Sequence, residues 1–245
     1  ETRPNAVSRT GRLRLLTGLS AILVVLAAVA GAWFWSERDR PPVALTVATG
    51  PFGSDTYQLM REVADVVERH SDRVRLSVRV SRDSSQNIAL LNTRAVDIAV
   101  IRADTPVVAD IRVIARLFPD LFQIIVRGNS PIHSVNGLAS ASVSIPEYGT
   151  DAFRSFWVIG DHYDLPIEKF DWRAEPFPAG ATRLLSGDAD ALFTIRSLRD
   201  TKLIRLFEDA QLKGIRLRYV PVEQAEAIAL KRPFLSPGTV PKGAF

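Results

Sequence analysis

The 245 residues contain no cysteine, one methionine and three histidines. The first absence removes disulfides, iron–sulfur clusters, thiolate zinc sites and cysteine nucleophiles from consideration. His70, His133 and His162 are far apart and outside any HExxH pattern, so no metal site is expected. No GxSxG elbow, no Walker A loop and no histidine paired with a nucleophile occur, so neither an enzyme nor a cofactor is expected. An excess of one charge is also missing: 31 Lys+Arg stand against 27 Asp+Glu. Arg3, Arg9, Arg12 and Arg14 supply much of the surplus, which leaves the remainder close to balanced and argues against nucleic acid as a partner.

What the chain does have begins with a long apolar run. From Leu15 to Trp35 no charged residue appears, and a helix rising ~1.5 Å per residue over that run reaches about 31 Å, the depth of a bilayer core. Trp33 and Trp35 lie at its outer end and the four arginines precede it, so the positive-inside bias places residues 1–14 in the cytoplasm and everything after residue 40 outside. A cleaved signal peptide and a buried core helix are the competing readings. The length of the run and the unsuitable cleavage sequence WFWSERDR favour a retained anchor over residues 15–35, with 36–42 as a linker stiffened by Pro41 and Pro42.

Beyond the linker, strand and helix patterns alternate. VALTVAT (43–49) reads as a strand, and Tyr57, Met60, Val63, Ala64 and Val67 recur at helical spacing. RVRLSVRVSR (73–82) puts Val74, Leu76, Val78 and Val80 on one strand face and its arginines on the other. A helix from about Ser85 to Thr93, a buried strand DIAVI (97–101) and strands 111–118 and 121–127 follow. A second series is predicted as strand 142–145, helix 149–163, a short run near Trp172, helix 179–186, strand 190–195, helix 200–211 and strand 215–220. The alternation predicts an α/β protein with largely parallel sheets. LLNTRAVDIAVI (90–101) and LLSGDADALFTI (184–195) echo one another, each a helix end, a turn, an aspartate and a strand. Two similar lobes are therefore expected, with a cleft suited to a small ligand.

The stretch VATGPFGSDTYQL (47–59) runs from a strand through a Gly-Pro-x-Gly turn into a helix. Exposed N–H groups at such a helix start bind a carboxylate or phosphate; alternatively, Ser54 or Asp55 simply caps the helix. SRDSSQNIALL (81–91) and IPEYGTDAF (145–153) repeat the arrangement.

In order, VATGPFGSDTYQL, SSQNIALL, VDIAVIRAD, IARLF, SVSIPEYGTDAFR and LLSGDADALF resemble the TAXI family of solute-binding proteins that serve TRAP-type transporters. The resemblance runs from about Val43 to Val222. It implies a two-lobed type II periplasmic binding protein fold, here preceded by one transmembrane helix, with lobes at 43–127 and 128–212 and a return segment at 213–245. It also implies that the chain continues past Phe245. The ligand-binding residues it points to are Gly50, Gly53, Ser54, Tyr57, Ser84, Asn87, Arg102, Asp104, Gly149 and Thr150. The function implied is capture of a small organic acid or amino acid in the periplasm for a TRAP-type permease; the anchor read from residues 15–35, which would hold the protein in the bacterial inner membrane, departs from a family whose members are mostly secreted. Asp55, Asp83 and Asp151 depart from the family pattern, and Arg102 stands where a neutral polar residue is usual. Acids at turns that should present N–H groups to an anion imply either a zwitterionic or cationic ligand, or a cleft that has lost its ligand. In the latter case the protein is an accessory subunit of a membrane complex.

Overall fold

The structure, a computed structural model, describes residues 22–35, 41–107, 110–166 and 168–245. Residues 22–35 form a helix (α1) whose side chains are all exposed, Trp33 and Trp35 included. The rest of the expected span, 15–21, lies outside the described residues. Among the described residues no helix is long and apolar enough to cross a membrane.

The chain divides into two compact units, the described part of Glu1–Leu45 with Ala64–Ser77, and Thr46–Val63 with Val78–Phe245. β1 (Val43–Ala48), α2 (Asp55–His70) and β2 (Val74–Arg79) each run from one unit into the other. In the first unit the Val43 N–H donates to the Arg73 carbonyl at 2.8 Å, and Arg75 pairs with Glu68 on the exposed surface. Strand β2 alternates half-buried and exposed residues, as its valines and arginines dictate.

The second unit holds α3 (Ser84–Asn92), β3 (Ile98–Ala99), β4 (Leu121–Arg127), a 3-10 turn (Val135–Ser140), β5 (Val143–Ile145), α4 (Asp151–His162), β6 (Trp172–Ala174), α5 (Phe177–Ser186), β7 (Ala191–Arg196), α6 (Thr201–Leu212), β8 (Leu217–Val220) and α7 (Ala225–Lys231). One sheet has the order β2-β1-β3, the other β6-β5-β7-β4-β8. Strands β4 and β7 are buried on both faces and read as near-continuous apolar runs. Ile124, Val126 and Phe193 pack with Phe156 of α4 on one face; Ile125 and Leu192 pack with Leu184 of α5 and Leu203 and Leu206 of α6 on the other.

The internal echo has a structural counterpart. Asp97 exchanges hydrogen bonds with the Thr46 backbone, its N–H donating to the Thr46 carbonyl at 2.9 Å and its carboxylate accepting the Thr46 N–H at 2.8 Å. Asp190 treats Ser142 in the same way, at 2.8 and 2.9 Å. In each case the next residue pair opens a parallel ladder, Val47 with Ile98 and Val143 with Ala191. Each aspartate thus clamps the register at the start of a helix-to-strand return.

Three expectations need correction. The five-stranded sheet is mixed rather than parallel throughout: β5 pairs in parallel with β6 and β7, but β4 runs antiparallel to both β7 and β8. Both its neighbours come later in the chain, so its direction is set by long-range pairing, which side-chain alternation does not encode. The run 97–101 is a strand over Ile98–Ala99 alone, because the Asn87 side chain takes the Val100 carbonyl and ends the ladder. Residues 111–118 form no strand; they have no ladder partner among the described residues, and Val113 is 85% exposed. Helix α7 and the 3-10 turn were not anticipated.

Candidate functional site

The opening turn caps itself. The Ser54 N–H donates to the Pro51 carbonyl at 3.0 Å, and Ser54 Oγ accepts the Tyr57 N–H at 3.3 Å at the start of α2. Ser54 Oγ also meets Thr56 Oγ1 at 3.1 Å. A Cβ on residue 50 would sit 2.9 Å from Thr56 Oγ1, so glycine there keeps room for the hydroxyl pair. Gly53 has φ +72°, which L side chains rarely adopt. Tyr57 packs its ring 5.1 Å from that of Phe52.

This turn forms one wall of a cavity of about 310 Å³ whose other residues are Phe118, Asp120, Ile195, Arg196 and Asp200–Lys202. Asp200 caps α6, one carboxylate oxygen accepting from the N–H groups of Lys202 and Leu203 at 2.8 and 2.9 Å. Its other oxygen accepts from Arg196 at 2.5 Å. Arg196 in turn lies 4.2 Å over the Phe177 ring. Burial, and then the Asp200 charge, push the Asp55 carboxyl above its ordinary value, against the pull of Arg196. Burial likewise raises Asp120, opposed by Arg102 at 3.5 Å. Three carboxylates therefore face three cations around this cavity, Arg196 and Lys202 in its lining and Arg102 behind Asp120, and two of the three carboxylates resist ionisation.

A pH prediction follows from the sign of these shifts. Asp55 holds its proton more tightly in the fold than in the unfolded chain, so it favours the fold below the ordinary value of 3.8 and loses that contribution as pH rises through its raised value. Asp55→Asn is expected to melt higher than the native chain near neutral pH, with the gap closing as pH falls toward 3.8. Melting curves across that range test it; a variant less stable at neutral pH contradicts it.

The remaining sequence-derived residues gather around the starts of α3 and α4. Asp83 caps α3 by accepting the Gln86 N–H at 2.7 Å. The N–H of Ser84, a buried residue, donates instead to Asp151 of α4 at 2.9 Å, and Ser84 Oγ accepts the Arg102 N–H at 3.1 Å. Asp151 is itself buried, and its second oxygen is held by Arg154. Arg102 reaches Asp104 at 3.3 Å and Ser155 at 3.2 Å, while Ser155 also donates to Asp104. Fully buried Asn87 donates from Nδ2 to the carbonyls of Thr49 and Val100 at 2.9 and 2.6 Å; its Oδ1 has no hydrogen-bond partner. Thr150 caps α4 by accepting the Phe153 N–H at 3.2 Å, after Gly149 at φ +81°.

Gly53 and Ser54 thus line the cavity. Ser84, Arg102, Asp104 and Asp151 form a second, interlocked cluster, joined to the cavity through the Arg102–Asp120 pair. Asp120, Arg196 and Asp200 were missed by sequence reasoning. Asp200 was legible as an acid at the start of an expected helix, but nothing local announced the other two. Among the described residues no group of three or more His, Asp or Glu is placed to hold a metal ion.

The sequence pattern of the NMT1-like family matches residues 47–245. Among solved structures, the chain is similar to the periplasmic aliphatic sulphonate binding protein SsuA from Escherichia coli, at 15% identity and a TM-score of 0.50, over 73% of this chain and 56% of that one. It is similar also to a TctC solute binding protein from Polaromonas, at 19% identity and a TM-score of 0.50, over 73% of this chain and 65% of that one. The chain spans less than two thirds of the length of either. At these identities the likeness is one of fold, the two-lobed α/β architecture of type II periplasmic binding proteins.

Proposed function

The chain belongs to the NMT1-like family, and we propose that it is a membrane-anchored extracytoplasmic receptor that captures a small organic acid or amino acid for a TRAP-type permease. Residues 43–127 and 128–212 are its expected lobes, with 213–245 a return segment; β4 and β8 nevertheless share one sheet with β5, β6 and β7, so 121–127 and 217–220 go with the second series of elements. The observation behind this reading is the cavity. Turns before α2 and α6 converge there with Asp55, Asp120, Arg196 and Asp200, a concave site with a few placed polar groups. The apolar, exposed helix α1 supports an anchor at 15–35 with residues 1–14 in the cytoplasm, single-pass in a bacterial inner membrane. Permease and TAXI membership rest on the sequence resemblance; the solute class rests on that resemblance and on the charges around the cavity.

A second reading is an accessory subunit of a membrane complex with a degenerate cleft. The Asp151 carboxylate, seated on the start of α3, favours it.

The test is a thermal-shift screen of the full chain, extracted from membranes in detergent, against amino acids, dicarboxylates and polyamines. A solute at 100 times its dissociation constant stabilises by about 2.7 kcal/mol. We expect at least one such shift, lost in a folded Arg102→Ala variant because Arg102 is the link between cavity and cluster. A flat response from folded protein across the panel would favour the accessory subunit.

A further inference from the structure

The charged groups lining the cavity divide into those already neutralised and those that are not. Asp200 is taken by Arg196 at 2.5 Å and by two N–H groups of α6, and Asp120 is met by Arg102 at 3.5 Å. Asp55 and Lys202 are left over: both line the cavity, and among the described residues neither forms an ion pair. Asp55 opens α2 and Lys202 lies in the first turn of α6, and the Lys202 charge acts on Asp55 through space rather than by contact. Burial and the neighbouring Asp200 charge hold the Asp55 carboxyl above its ordinary value, the condition of a carboxylate set beside another with no cation of its own. A separate feature of the same wall points to an absent acceptor: the Nε of Arg196 is buried and has no hydrogen-bond partner, a donor that folded proteins seldom leave unmet. Phe52, Phe118 and Ile195 add apolar surface, and a volume of about 310 Å³, at the low end for solute pockets, suits a small molecule.

We propose that this cavity selects a zwitterion, an amino acid with an uncharged side chain, through Asp55 and Lys202. The ammonium group of the solute lies against Asp55, its carboxylate against Lys202 and the Arg196 guanidinium, and its side chain along Phe52 and Phe118. The proposal rests on the reading of the cavity as a solute site and narrows its solute. One uncommitted charge of each sign is present in the lining, so a solute carrying one of each leaves none unmatched. A dicarboxylate sets its second carboxylate before Asp55, and a diamine sets its second ammonium before Lys202. An acidic or basic amino acid brings a third charge for which the lining holds no free partner. A charge taken out of water without a partner carries a desolvation cost, and that cost is what discriminates against these solutes.

The experiment is calorimetry on the full chain in detergent, with the uncharged L-amino acids, succinate and putrescine as probes. At least one uncharged amino acid is expected to bind, about tenfold or more tighter than succinate, putrescine, or its own methyl ester and N-acetyl derivative, each of which lacks one of its two charges. Asp55→Asn, expected to melt higher than the native chain near neutral pH and so to be folded, should bind that amino acid about tenfold or more weaker. Lys202→Gln should do the same, while Lys213→Gln, at the exposed end of α6, should leave binding unchanged. The methyl ester separates direct contact from a general loosening: lacking the carboxylate charge, it should be weakened further by Asp55→Asn but not by Lys202→Gln. The proposal is overturned, with the receptor reading left standing, if succinate or putrescine binds most tightly, or if both folded variants bind the amino acid as the native chain does. Binding of none of the probes to folded protein would remove the proposal and the receptor reading together.

Discussion

Replacing Phe156 by alanine is expected to cost about 4 kcal/mol of stability, within the range for emptying a large aromatic site in a well-packed core. Phe156 is fully buried on α4, its ring 4.8 Å from that of Phe193 and 4.9 Å from that of Trp157, with Phe170 beyond at 6.4 Å. The contacts with Phe193 and Trp157 are edge-on, an arrangement that adds to the area buried. Phe193 belongs to β7, paired with both β4 and β5, so that wall is held by the sheet and does not readily collapse into the space. Urea titration followed by circular dichroism should show a lower midpoint with an unchanged slope, the signature of lost stability without a change in surface exposed. Leu212, 86% exposed at the end of α6, provides the contrast: its alanine variant is expected to fall within about 0.5 kcal/mol of the native chain. A Phe156→Ala loss as small as that would mean the aromatic cluster is loosely packed. The consequence reaches the site, because the α4 that Phe156 fixes is the helix whose first residue reaches Ser84.

What could be read in advance divides by distance along the chain. The alternation of β2 and the cap at Ser54 are local matters, and local chemistry announced them; the cap at Thr150 and the left-handed glycines at 53 and 149 are equally local but were not read in advance. The twin aspartates were legible through the repeated pattern around them, although their shared task of clamping Thr46 and Ser142 was not. Pairings across long separations stayed hidden. Nothing near Asp55 indicates that Asp200 will raise its proton affinity, and nothing near Arg102 indicates Ser155 as a partner. The segment 111–118 misled for the opposite reason: its β-branched composition suits a strand, but a strand needs a neighbour, and composition cannot supply one. Asp151 lies between these cases. As an acid where the resembled family has glycine it stood out at once; that its carboxylate travels to the start of α3 is a fact of tertiary structure.

Asn87→Leu is expected to cost about 3 kcal/mol even with no solute present. The side chain is fully buried, and its amide donates to the carbonyls of Thr49 and Val100, the residues just beyond β1 and β3. Leucine keeps the branching of asparagine but is larger, so the loss combines some overpacking with the hydrogen bonds: a buried and a part-buried acceptor are left without their donor, each at about 1–3 kcal/mol, offset in part by the gain in apolar burial. Denaturant titration of the full chain measures it, and a cost below about 1 kcal/mol would mean that the carbonyls find other donors. The position also tests how stability and recognition are divided at the site. Both donors of the amide are committed to the strand ends, so any contact with a solute must pass through Oδ1, the buried oxygen that has no partner. The amide fixes Thr49 before the turn that lines the cavity and Val100 before Arg102. Its removal loosens the entry to both clusters at once, and the structural cost should therefore precede, and exceed, any change in affinity.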